Sequence, residues 1–293
     1  LDLKDYMVLV IAREAGLRGY ACITTELANE ARRRHETAPT ATVVLARALT
    51  AGSLMGGLLK VRQRVAIKWE GSGPLLKTIV EADSNGTVRG YTAGVDVDLR
   101  DSHGEHDIVR AIGRAGLLTV VRDLQLKELA ESAVPLATSD MDGDLTYYLE
   151  QSDQIPSIVS TAAVLNDEGG VAVSGGLLIQ PLPPYDPATV EQLRDRLLEM
   201  PPLGELLKSG LKPEGVLDQA FMGLGHKLLS KYPLRFRCNC SRERTRRALL
   251  MLGREGLADM LASEGEAIVD CHYCRERYVF GREELETLIE ELT

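Results

Sequence analysis

No apolar run in the 293-residue sequence approaches the ~20 residues that a bilayer-spanning helix needs, so no membrane association is expected. Nor is there an excess of positive charge. Lys and Arg number 34 against 43 Asp and Glu, a net charge of −9, which speaks against broad coating of nucleic acid. No Gly-rich phosphate loop, nucleophile elbow or paired-carboxylate motif occurs, and an enzyme is not expected. Internal repeats and low-complexity tracts are also missing. With 44% hydrophobic and 26% charged residues, the composition is that of a folded globular protein rather than a disordered one. Asp2, Asp5 and Glu14 stand where a signal peptide would be basic and then apolar, which points to a cytoplasmic chain. At roughly 100–200 residues per domain, the length suggests about two domains.

What is present begins with strands. Val65-Ala66-Ile67-Lys68-Trp69 alternates with period two, the mark of a half-buried strand, and Gly71-Ser72-Gly73-Pro74 follows as a turn. Thr78–Ala82 and Thr87–Tyr91 flank Asn85-Gly86, a strong hairpin signal. A second hairpin is expected from Ile158 to Ile179 through Asn166-Asp167-Glu168-Gly169-Gly170. Between the first strands and Val65 lies a helix candidate from about Thr40 to Leu59, with Thr40 after Pro39 as its possible cap. Its side chains are apolar or small nearly all round, and only Arg47 and Lys60 bring charge. Such a helix is buried on several sides, with small residues letting sheet backbones approach. The expected fold is therefore α+β, with an N-terminal β-sheet domain over residues 1–182 packed around a buried central helix.

Four prolines between Pro181 and Pro187 break both strand and helix. Beyond them Val190, Leu193, Leu197 and Leu198 recur at helical spacing, followed by shorter amphipathic pieces. Residues 183–233 read as a helical linker that must dock, because helices this short are marginal alone. Ordinary surface helices of the first domain are the competing reading. The remaining segment, 234–293, changes character. Its basic residues are all Arg, the last Lys being Lys231, and six arginines from Arg235 to Arg247 face one acid, Glu243. The stretch from Glu283 to Glu291 is acidic.

That segment also holds four of the five cysteines, as Cys238-Asn239-Cys240, thirty residues, then Cys271-His272-Tyr273-Cys274. Four thiolates in two tight pairs suit one tetrahedral Zn²⁺, although one residue between the first pair is closer than the usual spacing. His272 could replace one sulfur, but the Cys₄ set is complete without it. A C-terminal zinc-binding domain this short cannot bury much core, and the metal should supply its stability. Oxidising the thiols should release zinc and melt it. Cysteines one and two residues apart can pair with each other, Cys238 with Cys240 and Cys271 with Cys274. Arg235, Arg237, Arg242 and Arg275 could favour thiolate, or they could be solvated surface.

The sequence resembles the 33 kDa heat shock proteins, redox-regulated bacterial chaperones, over its whole length. The resemblance rests on Cys238-Asn239-Cys240-Ser241 and Cys271-His272-Tyr273-Cys274 with Tyr278 and Phe280. It is supported by Arg18-Gly19-Tyr20-Ala21, Arg34-His35, Pro39-Thr40-Ala41, Gly71-Ser72-Gly73-Pro74 and Thr146-Tyr147-Tyr148-Leu149. It implies an inactive reduced form with Zn²⁺ on Cys238, Cys240, Cys271 and Cys274. Under peroxide or hypochlorous stress with heat, it implies two local disulfides, Cys238–Cys240 and Cys271–Cys274, loss of zinc, and unfolding of tail and linker. The activated form, usually a homodimer, would hold unfolding client proteins without ATP.

Other signals are weaker. Cys22 reads as a buried small hydrophobe, Trp69 as core or interface, and His103-Gly104-Glu105-His106 as a polar loop. His35 could pack or cap. Two rivals from other classes remain. A zinc-ribbon nucleic-acid binder would place Arg235–Arg247 on phosphates, against the acidic balance elsewhere. A thiol oxidoreductase using Cys271 and Cys274 would want that motif at the start of a βαβ unit, which it is not.

Overall fold

The computed structural model describes residues 4–292; Asp2, counted above against a signal peptide, lies outside them. The chain divides into two compact units, Leu1–Arg237 and Cys238–Thr293.

The first unit opens with the antiparallel strands β1 (Tyr6–Ala12) and β2 (Leu17–Ile23), followed by helices α1 (Thr25–His35) and α2 (Pro39–Gly57). Strands β3 (Arg64–Gly71), β4 (Lys77–Asp83) and β5 (Thr87–Thr92) form the expected meander. A short helix α3 (Ile108–Ile112) leads to β6 (Gly116–Asp123) and β7 (Ala130–Pro135), then α4 (Met141–Gln151). The hairpin of β8 (Ile158–Leu165) and β9 (Val171–Pro181) completes the region. Period-two burial holds through β3, where Val65, Ile67 and Trp69 face the core.

Helix α2 runs between two sheets, meeting β4 and β5 on one side and β8 and β9 on the other. Sixteen of its 19 residues are buried. Its small side chains are what allow this. A Cβ on Gly176 of β9 would lie 2.6 Å from Thr50 Cγ2, and one on Gly56 would lie 3.1 Å from Ala82 Cβ. The cap differs from the expectation. Thr40 does not cap α2 through its hydroxyl, which instead bonds Leu99 O at 2.9 Å and His106 Nδ1 at 2.8 Å. The orphan amide of Ala41 donates to Val97 O at 3.0 Å, so a neighbouring loop caps the helix. This also accounts for His106, while Glu105 and His103 lie in the exposed turn beside it.

After the proline-rich break come α5 (Pro187–Glu199), α6 (Leu203–Lys208) and α7 (Pro213–Ala220). The helical linker expected over 183–233 stops short, because β10 (Lys227–Pro233) is a strand paired antiparallel with β1. The open edge of β1 supplies backbone partners for these seven residues. Two further residues, β11 (Arg235–Phe236), pair parallel with β5. The two sheets thus run β10-β1-β2-β9-β8 and β11-β5-β4-β3-β6-β7. Helices α5–α7 dock on the face of the first sheet turned away from α2, burying Leu193, Leu207, Val216, Leu217 and Phe221 against Val8, Val10, Leu17, Leu177 and Ile179.

The second unit comprises α8 (Arg242–Leu250), α9 (Gly253–Ser263), the hairpin of β12 (Ala267–Asp270) and β13 (Arg277–Phe280), and α10 (Arg282–Glu291). Its buried apolar core is six side chains: Leu249, Leu257, Ala267, Phe280, Leu285 and Leu288. No helix among the described residues is long and apolar enough to cross a membrane.

Candidate metal centre

The two cysteine pairs lie on two short loops of the second unit. Cys238-Asn239-Cys240 precedes α8, whose N-terminus is capped by Ser241 Oγ accepting from Arg244 N at 3.2 Å. Arg244 reaches back and donates to Asn239 O at 2.9 Å, which fixes the loop between the two sulfurs. Cys271 and Cys274 occupy the turn between β12 and β13. There Arg275 N donates to Cys271 O at 2.8 Å and Cys271 N to Glu276 O at 2.9 Å. Arg275 takes a left-handed φ of 59°, so the chain reverses tightly and turns both thiols the same way.

All four sulfurs lie within 4.8 Å of one another. Cys238 Sγ is 3.7 Å from Cys271 Sγ, and Cys240 Sγ is 3.3 Å from Cys274 Sγ. A tetrahedral ion with thiolate bonds of about 2.3 Å needs sulfurs about 3.8 Å apart, so this cluster could hold one ion. Among the described residues it is the one group of three or more His, Cys, Asp or Glu side chains placed to do so. His272 is not part of it. None of the five cysteines is joined in a disulfide. The fifth, Cys22, is packed in β2 in the main core, where burial pushes its thiol far above the ordinary value.

The electrostatics differ from the sequence-based expectation that arginines favour thiolate here. Burial pushes the Cys274 and Cys240 thiols up; neighbouring sulfurs add to this at Cys274, while the bond from the Tyr278 hydroxyl opposes it at Cys240. Arg242 is committed elsewhere, bonding Glu284 at 2.6 Å and Val279 O at 2.8 Å and lying over the Phe280 ring. A bound cation is then what would hold four thiolates together, since metal ligation deprotonates them. Two other arginines of the run behave alike: Arg247 pairs with Glu243 at 3.0 Å and Arg246 pairs with Glu291. Glu284 and Glu291 of α10 answer Arg242 and Arg246 of α8, which draws part of the basic run away from phosphates and weighs against the nucleic-acid reading.

One contact was not legible in the spacing. The Tyr278 hydroxyl on β13 donates to Cys240 Sγ at 3.2 Å. That bond to sulfur is the first cause holding the phenol protonated well above its ordinary range. Tyr278 belongs to the motif that follows the cysteines, but it is the fold, not the spacing, that sets its hydroxyl beside Cys240.

A family model described as Hsp33 protein matches residues 5–281. The 33 kDa chaperonin of Geobacter sulfurreducens is 47% identical over 291 residues, covering 99% of this chain and 97% of that protein. The 33 kDa chaperonin of Geobacillus kaustophilus is 40% identical over 287 residues, with 98% of each covered. Among solved structures, the crystal structure of the 33 kDa chaperonin from Thermotoga maritima superposes with a TM-score of 0.91 at 34% identity, covering 98% of both chains.

Proposed function

The chain belongs to the Hsp33 protein family, and on that premise we propose that it is a cytoplasmic, ATP-independent holdase chaperone switched on by oxidation. The observation that carries the reading is the convergence of Cys238, Cys240, Cys271 and Cys274 in a unit whose own core is six apolar side chains. A Zn²⁺ ion bound to the four thiolates would cross-link the two loops and supply most of the folding free energy of so small a unit.

Oxidation acts on the sulfurs themselves. Cys238 with Cys240, and Cys271 with Cys274, each give up two electrons to one peroxide. The two sulfurs join, the O–O bond breaks, and with two protons the peroxide leaves as two waters. Disulfides closed over one and two residues cross-link nothing distant, so the loops lose their tie and the unit melts.

The second half of the switch lies in the first unit. Arg237 joins Cys238 directly, and β11, β10 and the α5–α7 strap precede it along the chain. The strap covers an apolar sheet face carrying Val8, Val10, Leu177 and Ile179. Once the strap loosens, that face becomes a contiguous apolar patch able to hold exposed segments of unfolding proteins. The activated form is proposed to be a homodimer. The test is to treat zinc-loaded, reduced protein with peroxide at raised temperature. Zinc release, protease cleavage beyond residue 181 and suppression of a client's thermal aggregation are then followed together. All three should rise in step; zinc release without new cleavage or apolar-dye binding would break the mechanism.

A further inference from the structure

Tyr278 is not a ligand candidate, yet its hydroxyl sits 3.2 Å from Cys240 Sγ. Its ring is half-buried against the core of the second unit, and its backbone is paired with Val269 across the hairpin. The hydroxyl's place is therefore set by sheet register and packing, not by a free rotor. On the other flank Arg244 holds Asn239 O at 2.9 Å, so the Cys238–Cys240 loop is gripped from both sides.

We propose that Tyr278 is a positioning residue that holds the Cys240 sulfur and restrains its attack on peroxide, thereby setting how readily the Cys238–Cys240 pair oxidises. The proposal rests on the reading above, in which the four sulfurs hold a metal and oxidise in two pairs. In the reaction a sulfur lone pair attacks one peroxide oxygen, leaving a sulfenic acid and hydroxide. The neighbouring thiolate displaces the second hydroxide as the S–S bond forms, and two protons from solvent turn both hydroxides into water. A hydroxyl donating to Cys240 occupies a lone pair and draws charge from the attacking atom. Hydrogen bonds to an ionised acceptor are the strong ones, and groups that bond a metal ligand commonly tune its site.

Tyr278→Phe keeps the ring and removes the oxygen. The full chain, wild type and variant, is loaded with zinc in the reduced state, and zinc content and melting temperature are recorded first. Peroxide is then added well below the melt, and both pairs are followed by alkylation and peptide mass mapping alongside zinc release. The expected result is oxidation of Cys238–Cys240 about tenfold faster, with Cys271–Cys274 affected much less. Equal rates overturn the proposal, and so does equal acceleration of both pairs, which is what mere loosening would give. Should the Phe variant fail to keep zinc, 3-fluorotyrosine placed at 278 keeps the shape and makes a stronger donor. Cys238–Cys240 should then oxidise more slowly than in wild type, and unchanged or faster oxidation overturns the assignment. A wild-type chain that takes up no zinc sinks the underlying reading instead. Normal wild-type behaviour shared by the variants sinks only the role of Tyr278.

Discussion

Arg47 of the central helix and Asp142 at the start of α4 form an ion pair of 3.0 Å in the interior, where the arginine side chain is 11% exposed. Asp140 completes a fork on the same guanidinium at 2.7 Å, and Asp142 also accepts from Thr161 N of β8 at 2.9 Å. One arginine thus joins the helix between the sheets, the helix on the second sheet and the edge strand of the first.

Removing that arginine should be far costlier than removing a surface charge. Burial already pushes the Asp142 carboxyl above its usual range, with Arg47 as the leading opposing influence. Arg47→Ala should destabilise the first unit by about 3–5 kcal/mol, because the carboxylates are left buried and uncompensated. Urea unfolding checks this. Arg47→Met combined with Asp142→Leu should recover part of the loss, and a double variant as unstable as Arg47→Ala would refute the ion-pair account.

Asp5 should give the first unit a pH dependence of definite sign. Its carboxylate caps α1 from outside, accepting from Glu26 N at 3.1 Å and Leu27 N at 2.6 Å, since Thr24 makes no side-chain cap bond. Burial is the largest influence and pushes it up to about 6 from 3.8. A carboxyl raised on folding favours the folded state fully below the unfolded value, and that contribution is lost as pH rises through the folded one. Stability should therefore fall by on the order of 2 kcal/mol between pH 4 and 7 from this group alone. Asp5→Asn should remove that portion of the slope in urea midpoints measured across the range. Parallel slopes for the two proteins would show that Asp5 is not its source.

Gly19 and Phe221 give a handle on the strap. A Cβ on Gly19 of β2 would lie 2.6 Å from Phe221 Cε2 and 3.0 Å from Leu217 Cδ2. Phe221 is fully buried, so the ring has nowhere to retreat without lifting the strap. Gly19→Val should raise apolar-dye binding and aggregation suppression in the reduced protein, with zinc retained. Overpacking of this kind costs typically about 1–3 kcal/mol, small enough to leave the sheets folded. A variant that binds the dye in the reduced state yet stays inactive until oxidised would separate strap release from activity.

The same glycine marks what was legible in the sequence. Its place in Arg18-Gly19-Tyr20-Ala21 was visible as a motif, but the reason for glycine there is a helix end about two hundred residues later. The meander, the second hairpin and the buried helix were legible because their periods of burial are local. The four cysteines were legible as a cluster because their spacings are short and paired. The strand β10, the loop that caps α2 and the Tyr278 hydroxyl were not. Each depends on which distant backbone or sulfur the fold sets beside it, and no local pattern encodes that.

Metal removal should act on one unit and spare the other at first. On the proposed reading, a chelator added to the reduced, zinc-loaded chain withdraws the ion that would tie the Cys238–Cys240 loop to the Cys271–Cys274 loop, without forming a disulfide. Structural zinc contributes about 10–16 kcal/mol in small fingers, far more than a unit of this size can spare. Proteolysis and amide exchange should therefore open from Cys238 onward, including α8–α10, whose Arg242–Glu284 and Arg247–Glu243 bridges are exposed and worth little alone. Amides of α2, β3 and β9, buried in the first unit, should keep their protection. Cys274→Ser should reproduce this without chelator. If α8–α10 stayed protected after the metal was gone, the six-residue core would be sufficient on its own, and oxidation could not work by melting that unit.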